Sequence, residues 1–212
     1  MAGNYYEIVD DLDYPSGSRR IAFSRNPELM QGIELPDRWY LGPPASTDPH
    51  ESFYGEEFAM GIHQTVAGRL TVNVDYDGIP LDFTFAALGM PVVNSNTANV
   101  FRQLAPNDMQ LIPIIVEGRL EEYFIANALR SVDCIDYQRT EVQFWENAPE
   151  TPPEKVGKPE MIVGLHIKES SIPRDIEVFR LQDWIPPLIV SERIKKALEV
   201  RRTTGIKFAK VT

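Results

Sequence analysis

The chain has 212 residues and a formal net charge of -10, from 21 Lys and Arg against 31 Asp and Glu, with 43% hydrophobic and 25% charged residues. This is the composition of a globular protein long enough to bury a core, as one domain or two small lobes. An acidic surface repels phosphate, which disfavours nucleic acid and anionic lipid as partners, and no apolar run approaches the roughly 20 residues of a membrane-spanning helix.

In chain order, residues 5–9 and 20–23 read as short strands, separated by a polar turn region over 10–18 that holds Pro15 and Gly17. Residues 34–52 carry Pro36, Pro43, Pro44 and Pro49, and read as irregular chain pinned by Trp39 and Tyr40. Residues 70–75 alternate, Asp77 and Gly78 supply a turn, and residues 80–85 alternate again. This pattern predicts a hairpin with Phe83 and Phe85 on one side and Asp82 on the other. A strand ending at Val93 then meets Asn94, an N-cap residue, and Val100, Phe101 and Leu104 form the stripe of a helix. Residues 109–116, 121–126, 132–144, 161–167 and 176–181 read as strands, with an exposed proline-rich loop over 145–159. Finally residues 184–190 form a strand and Ser191 caps a helix striped by Ile194, Ala197 and Leu198. Gly205 breaks that helix, and Ile206 and Phe208 alternate in a last strand.

Two strand–helix–strand units stand out. Val93 precedes Met109 by 16 residues, and Val190 precedes Ile206 by the same 16. An offset of 97 pairs Asn94 with Ser191, Val100 with Ala197 and Phe101 with Leu198. Ancestral duplication explains this, and so does convergence of spacing in any such unit. Strands without intervening helices exclude a doubly wound fold. The expected class is α+β, with mixed or antiparallel sheets and a few packed helices. Residues 1–90 read as an acidic, loop-rich, β-containing lobe and residues 91–212 as an α+β scaffold, the two forming one continuous domain.

Catalytic chemistry is not legible. His50, His63 and His166 are scattered and lack a second ligand at metal spacing. Cys134 sits between Asp133 and Asp136, which raise a thiol pKa, so burial is expected in place of nucleophilicity. Those two carboxylates, three apart in a strand, point to opposite faces and do not converge on a metal. Gly55, Gly61 and Gly68 do not make a phosphate loop, and Ser191 lacks the glycines of a nucleophile elbow. No catalytic, cofactor-binding or metal-binding residue is assigned. The start of the chain has neither a basic stretch nor the apolar core of a secretory signal, so the expected compartment is the cytoplasm.

Several segments, weak singly but specific in order, carry a resemblance: residues 110–118 (QLIPIIVEG), 123–127 (YFIAN), 133–136 (DCID), 155–158 (KVGK), 190–198 (VSERIKKAL) and 204–208 (TGIKF). From about residue 89 to 210 the chain resembles an immunity-protein family. That family was first catalogued as a domain of unknown function and later tied to a myxobacterial polymorphic toxin. The resemblance implies a cytoplasmic protein that binds a cognate toxin domain and blocks it, without enzymatic turnover. The alternatives are a small enzyme with a loop-built carboxylate site, and a regulatory protein-binding domain with no toxin involved.

The charge supplies candidate contacts. Residues 1–90 hold 14 acidic and 5 basic side chains, a balance of -9, against 17 and 16 in residues 91–212. Loops tolerate change that a core does not, and an acidic lobe steers a basic partner. The expected partner-binding carboxylates are Asp10, Asp11, Asp13, Glu56, Glu57, Asp75, Asp77 and Asp82.

Overall fold

The structure is a computed structural model that describes residues 4–11, 38–48, 61–86 and 89–211. It is an α+β protein, as the sequence predicts. One sheet has the order β2-β3-β6-β7-β5-β4, built from β2 (Tyr40–Ser46), β3 (Leu70–Tyr76), β4 (Phe83–Ala86), β5 (Met90–Asn94), β6 (Met109–Val116) and β7 (Tyr123–Ala128). Its end strands β2 and β4 approach each other, so the sheet curls into a nearly closed barrel. Trp39, Leu70, Val72, Met90, Val92 and Ile125 are among the buried residues that fill it. The second sheet has the order β13-β1-β12-β11-β8, from β1 (Tyr5–Asp10), β8 (Ser131–Val132), β11 (Val178–Leu181), β12 (Trp184–Ser191) and β13 (Ile206–Val211). A separate ribbon pairs β9 (Glu141–Phe144) with β10 (Pro159–Val163).

Among the described residues two α-helices, α1 (Ser95–Leu104) and α2 (Glu192–Val200), start where their caps dictate. Asn94 Oδ1 accepts the Thr97 N–H at 3.0 Å, and Ser191 Oγ accepts the Ile194 N–H at 3.3 Å, each satisfying a donor that the first turn leaves orphaned. The helices pack against each other. Val100 and Phe101 of α1 meet Ile194 and Leu198 of α2 in one apolar cluster, which also takes Val93, Phe124, Val178 and Val190 from both sheets.

The two units are alike beyond their spacing. β7 lies antiparallel between β5 and β6, and β1 lies antiparallel between β12 and β13. Val93 pairs with Phe124 as Val190 pairs with Tyr6, and Ile114 pairs with Tyr123 as Val211 pairs with Tyr5. The 97-residue offset therefore holds through strand, helix and strand. An antiparallel strand flanks each unit, β4 on β5 and β11 on β12. The match in register favours duplication over converged spacing, with one permutation: the inserted strand follows the first unit and precedes the second.

The units also clasp each other reciprocally. In the turn after α2, Thr204 Oγ1 accepts the Asp82 N–H at 3.0 Å and the Thr204 carbonyl accepts the Phe83 N–H at 3.2 Å. In the turn after α1, buried Asp108 accepts the Glu177 and Val178 N–H groups at 2.7 and 3.2 Å. Asp82 and Glu177, just before the flanking strands β4 and β11, hold the opposite unit's turn and their own unit's cap. Asn94 donates to Asp82 Oδ1 at 2.6 Å, and the Ser191 hydroxyl donates to Glu177 Oε2. Gly205 permits the approach: its φ is +93°, and a Cβ there would sit 2.0 Å from the Phe83 carbonyl oxygen.

Several expectations are corrected. The hairpin over residues 70–85 does not form: β3 and β4 belong to one sheet but are separated by β6, β7 and β5. Alternation identifies a strand's two faces and not its neighbour. Residues 40–46 are not irregular. They form β2, whose Pro43 and Pro44 are tolerated because β2 ends the hydrogen-bonded order of the described strands and its register on β3 is shifted at two points. The stretch 132–144 holds only the end of β8, an isolated bridge from Ile135 to Ile167, a turn, and β9. His166 lies outside a regular strand, next to that bridge. The expected strand at 20–23, the turn with Pro15 and Gly17, His50 and Gly55 lie outside the described residues.

Candidate partner-binding surface

The segment from β3 to β4 and the turn from β6 to β7 meet at one end of the barrel. Arg119 joins them: its Nη2 donates to Asp77 Oδ1 at 2.7 Å, and its guanidinium lies 5.8 Å from the ring of buried Trp39. Trp39 in turn packs on Tyr123 with ring centroids 5.0 Å apart. Gly78 brings a second segment in, because its backbone presses on Arg38 so closely that a Cβ would come within 2.4 Å of the Arg38 carbonyl carbon. Arg38 bridges to Ile79 and pairs with Asp11 at 2.6 Å.

Three of the eight expected carboxylates therefore gather around this rim. Asp11 is held by Arg38. Asp77 is exposed, held by Arg119, and accepts the Gly78 N–H at 2.9 Å. Asp75 is exposed near the end of β3, against Gly42, where a Cβ would come 2.8 Å from its Oδ1. Asp82 belongs to the frame, since it accepts from Asn94 and from both the N–H and the hydroxyl of Thr204 at 2.9 Å. Asp10 is described only as part of β1, with its side chain outside the described set. Asp13, Glu56 and Glu57 lie outside the described residues.

The same rim holds residues that the sequence reading passed over. Tyr76 is 52% exposed, Ile79 is 59% exposed and Leu120 is fully exposed. Glu117, Glu121 and Glu122 are exposed around the turn, and Glu122 accepts the Ser95 hydroxyl at 3.1 Å. Burial raises the Tyr123 hydroxyl pKa, Glu121 raises it further, and Arg119 opposes both. The available signal was Leu120 inside a charged strand connection, where an apolar side chain has no core to enter. Exposed apolar side chains and carboxylates thus stand at the same end of the barrel, where Arg38 and Arg119 each hold one carboxylate.

Elsewhere the expected chemistry is laid out as follows. Cys134 is buried and its pKa is pushed up to about 12, by burial first and Asp133 second, while Asp136 does not contribute. His63 is exposed, its Nδ1 3.5 Å from the Gln110 amide nitrogen. The His166 N–H donates to Thr140 Oγ1 at 2.9 Å. Among the described residues, no group of three or more His, Cys, Asp or Glu is placed to hold a metal ion, and no helix is long and apolar enough to cross a membrane.

No curated protein is detectably similar to the chain. The model of an immunity protein family, Imm11, matches residues 28–212, which includes the region of the sequence resemblance and extends well into the N-terminal part. The match covers well over half of the chain, and the protein therefore belongs to the Imm11 immunity protein family.

Proposed function

We propose that this protein is a cytoplasmic immunity protein that neutralises a cognate polymorphic toxin in interbacterial competition by stoichiometric binding, without turnover. The carrying observation is the barrel rim, where Tyr76, Ile79 and Leu120 stand exposed among Asp75, Asp77, Glu117, Glu121 and Glu122. Large apolar groups supply the desolvated centre that gives an interface its affinity. The surrounding carboxylates steer a basic toxin face and compete with an anionic substrate for it. The side chains with potential chemistry point the same way: Cys134 is shut in, and Ser191 is committed to its cap.

This reading predicts a toxin domain encoded beside this gene, and the test purifies that domain with and without this protein. The expected result is a tight one-to-one complex that abolishes toxicity. Reversing Asp75, Asp77 and Glu121 to Lys should weaken binding by about tenfold or more and flatten its salt dependence. Unchanged affinity and unchanged salt dependence would place the interface elsewhere, and catalytic destruction of toxin or its product by this protein would refute neutralisation by binding.

A further inference from the structure

Residues 137–163 form an arm whose regular structure is the β9–β10 ribbon, paired with neither of the larger sheets among the described strands. The arm is a small part of the chain, yet Tyr137, Phe144, Val156, Met161 and Val163 are five of the eleven large apolar side chains exposed among the described residues. Its charges are 5 Glu against 3 Lys and Arg. Both lysines are engaged within the chain: Lys155 Nζ lies 5.5 Å from the Trp145 ring, and Lys158 pairs with Asp183 at 3.9 Å. Glu141, Glu146, Glu150 and Glu154 are exposed, and none is ion-paired among the described residues.

The two edges of the ribbon differ. On β10, Pro159 has no N–H to offer and the register shifts between Pro159 and Met161. Proline and a bulge are devices that close an edge to further pairing. β9 carries neither. It pairs with β10 alone among the described strands, and none of Glu141, Val142, Gln143 and Phe144 is bonded to anything beyond the described residues. Side chains alternate along a strand, so Val142 and Phe144 share one face. There Val142 lies opposite Ile162, which packs on the core, and the Phe144 ring stands 5.9 Å from that of Tyr137. Glu141 and Gln143 share the other face, opposite Val163 and Met161, and all four are exposed.

A strand added to β9 sets alternate side chains beside Val142 and Phe144, and the others beside Glu141. Apolar residues suit the first row, and Lys or Arg the second. A second copy of β9 does not fit. Antiparallel pairing centred on Gln143 and Phe144 sets Glu141 opposite Glu146, and like charges directly opposite are destabilising.

We infer that the β9 edge docks an extended segment of a partner protein in which apolar residues alternate with Lys or Arg. Main-chain hydrogen bonds to β9 supply affinity, and the two faces select the alternating side chains. The added strand also completes a two-stranded ribbon, which gains little stability from its own pairing. The arm is built on the cluster around Ile135 and Ile167, and the acidic rim on the barrel, so this site stands whether or not the rim binds a toxin.

The probe is a fluorescein-labelled seven-residue peptide of alternating Val and Lys, titrated against the full chain by anisotropy. Its controls are the Val and Glu analogue and two forms N-methylated on the valines or on the lysines. Alternate N–H groups of a strand point to opposite sides, so one methylated form keeps its donors for β9 and the other loses them. The expected result is saturable binding, weakened about tenfold or more in one methylated form only, and by Glu141→Lys. Amide hydrogen exchange of the unmodified protein should slow over residues 141–144 when the peptide is added, a readout that does not depend on any variant folding. Absence of binding, equal binding of the two methylated forms or of the Glu analogue, or slowing over residues 117–122 in place of 141–144 would overturn the proposal. Dimerisation of the chain with residues 141–144 protected in the absence of peptide would overturn it too, by giving the edge to a second copy.

Discussion

Asp82 and Asp75 show how differently two carboxylates in one acidic stretch are used. Asp75 projects from β3 into solvent, whereas Asp82 holds Asn94 and Thr204 and so joins the cap of one helix to the turn after the other. Removing Asp82 leaves three donors unpaired, so Asp82→Ala should cost about 2–4 kcal/mol in urea denaturation. Asp75→Ala should stay within about 0.5 kcal/mol. Equal small effects would show that the clasp does not hold the units together. Cys134 carries a pH prediction. Its thiol is raised from 9.0 to about 12 by burial and Asp133, so in alkali the unfolded chain loses this proton before the folded one does. The stabilisation is complete below pH 9 and is lost as pH rises toward 12, by about 1.4 kcal/mol per unit. Comparing the stability of wild type and Cys134→Ala across that range isolates the effect. Parallel curves would exclude it.

At the scale of elements, each helix is held between its own unit's strands and the other helix. The Leu198 side chain is fully buried among residues from both sheets. Leu198→Ala should cost about 2–5 kcal/mol by calorimetry or denaturant, the range for a leucine in a tight core. A loss below about 1 kcal/mol would mean that the α2 stripe is not packed as described. β12 manages its two prolines differently from β2. Buried Arg180 on the neighbouring strand donates to the Ile185 and Pro186 carbonyls at 2.6 and 3.0 Å, beside the point where the β11–β12 register shifts. Burial pulls the Arg180 pKa down to about 10, which leaves it charged at neutral pH.

For the whole molecule, β1 joins the beginning of the chain to its last strand, with Tyr5 paired to Val211. We therefore propose that residues 1–90 and 91–212 unfold as one continuous domain, in a single calorimetric transition. Two resolved transitions would separate the acidic lobe from the scaffold. The permuted repeat makes a sharper prediction. Linking Val211 to Asn4 through a short turn, and opening the chain between Glu150 and Thr151, gives the second unit the strand order of the first. This permutant should fold, with circular dichroism and melting temperature close to the parent, because the new connection spans paired strand ends and the break lies in an exposed turn. Loss of the folded state would count against the equivalence of β1 and β7.

Read alone, the sequence determined the two strand–helix–strand units, their caps at Asn94 and Ser191, their stripes and their 97-residue offset. It also yielded the resemblance to an immunity family. Capping and helical periodicity are set by residues within a few positions of one another, so they are legible without the fold. Tertiary structure decided the rest. Alternation over residues 70–85 marked strands correctly but not their partners, because β3 pairs with β2 and β6 while β4 pairs with β5. The acidic N-terminal stretch likewise located a concentration of carboxylates and not the use of each charge. Asp11 meets an arginine 27 residues away, Asp77 one 42 residues away, and Asp82 a threonine 122 residues away. Whether a carboxylate steers a partner or fastens the frame depends on what the folded chain brings within 3 Å of it, and nothing in its immediate sequence neighbourhood encodes that.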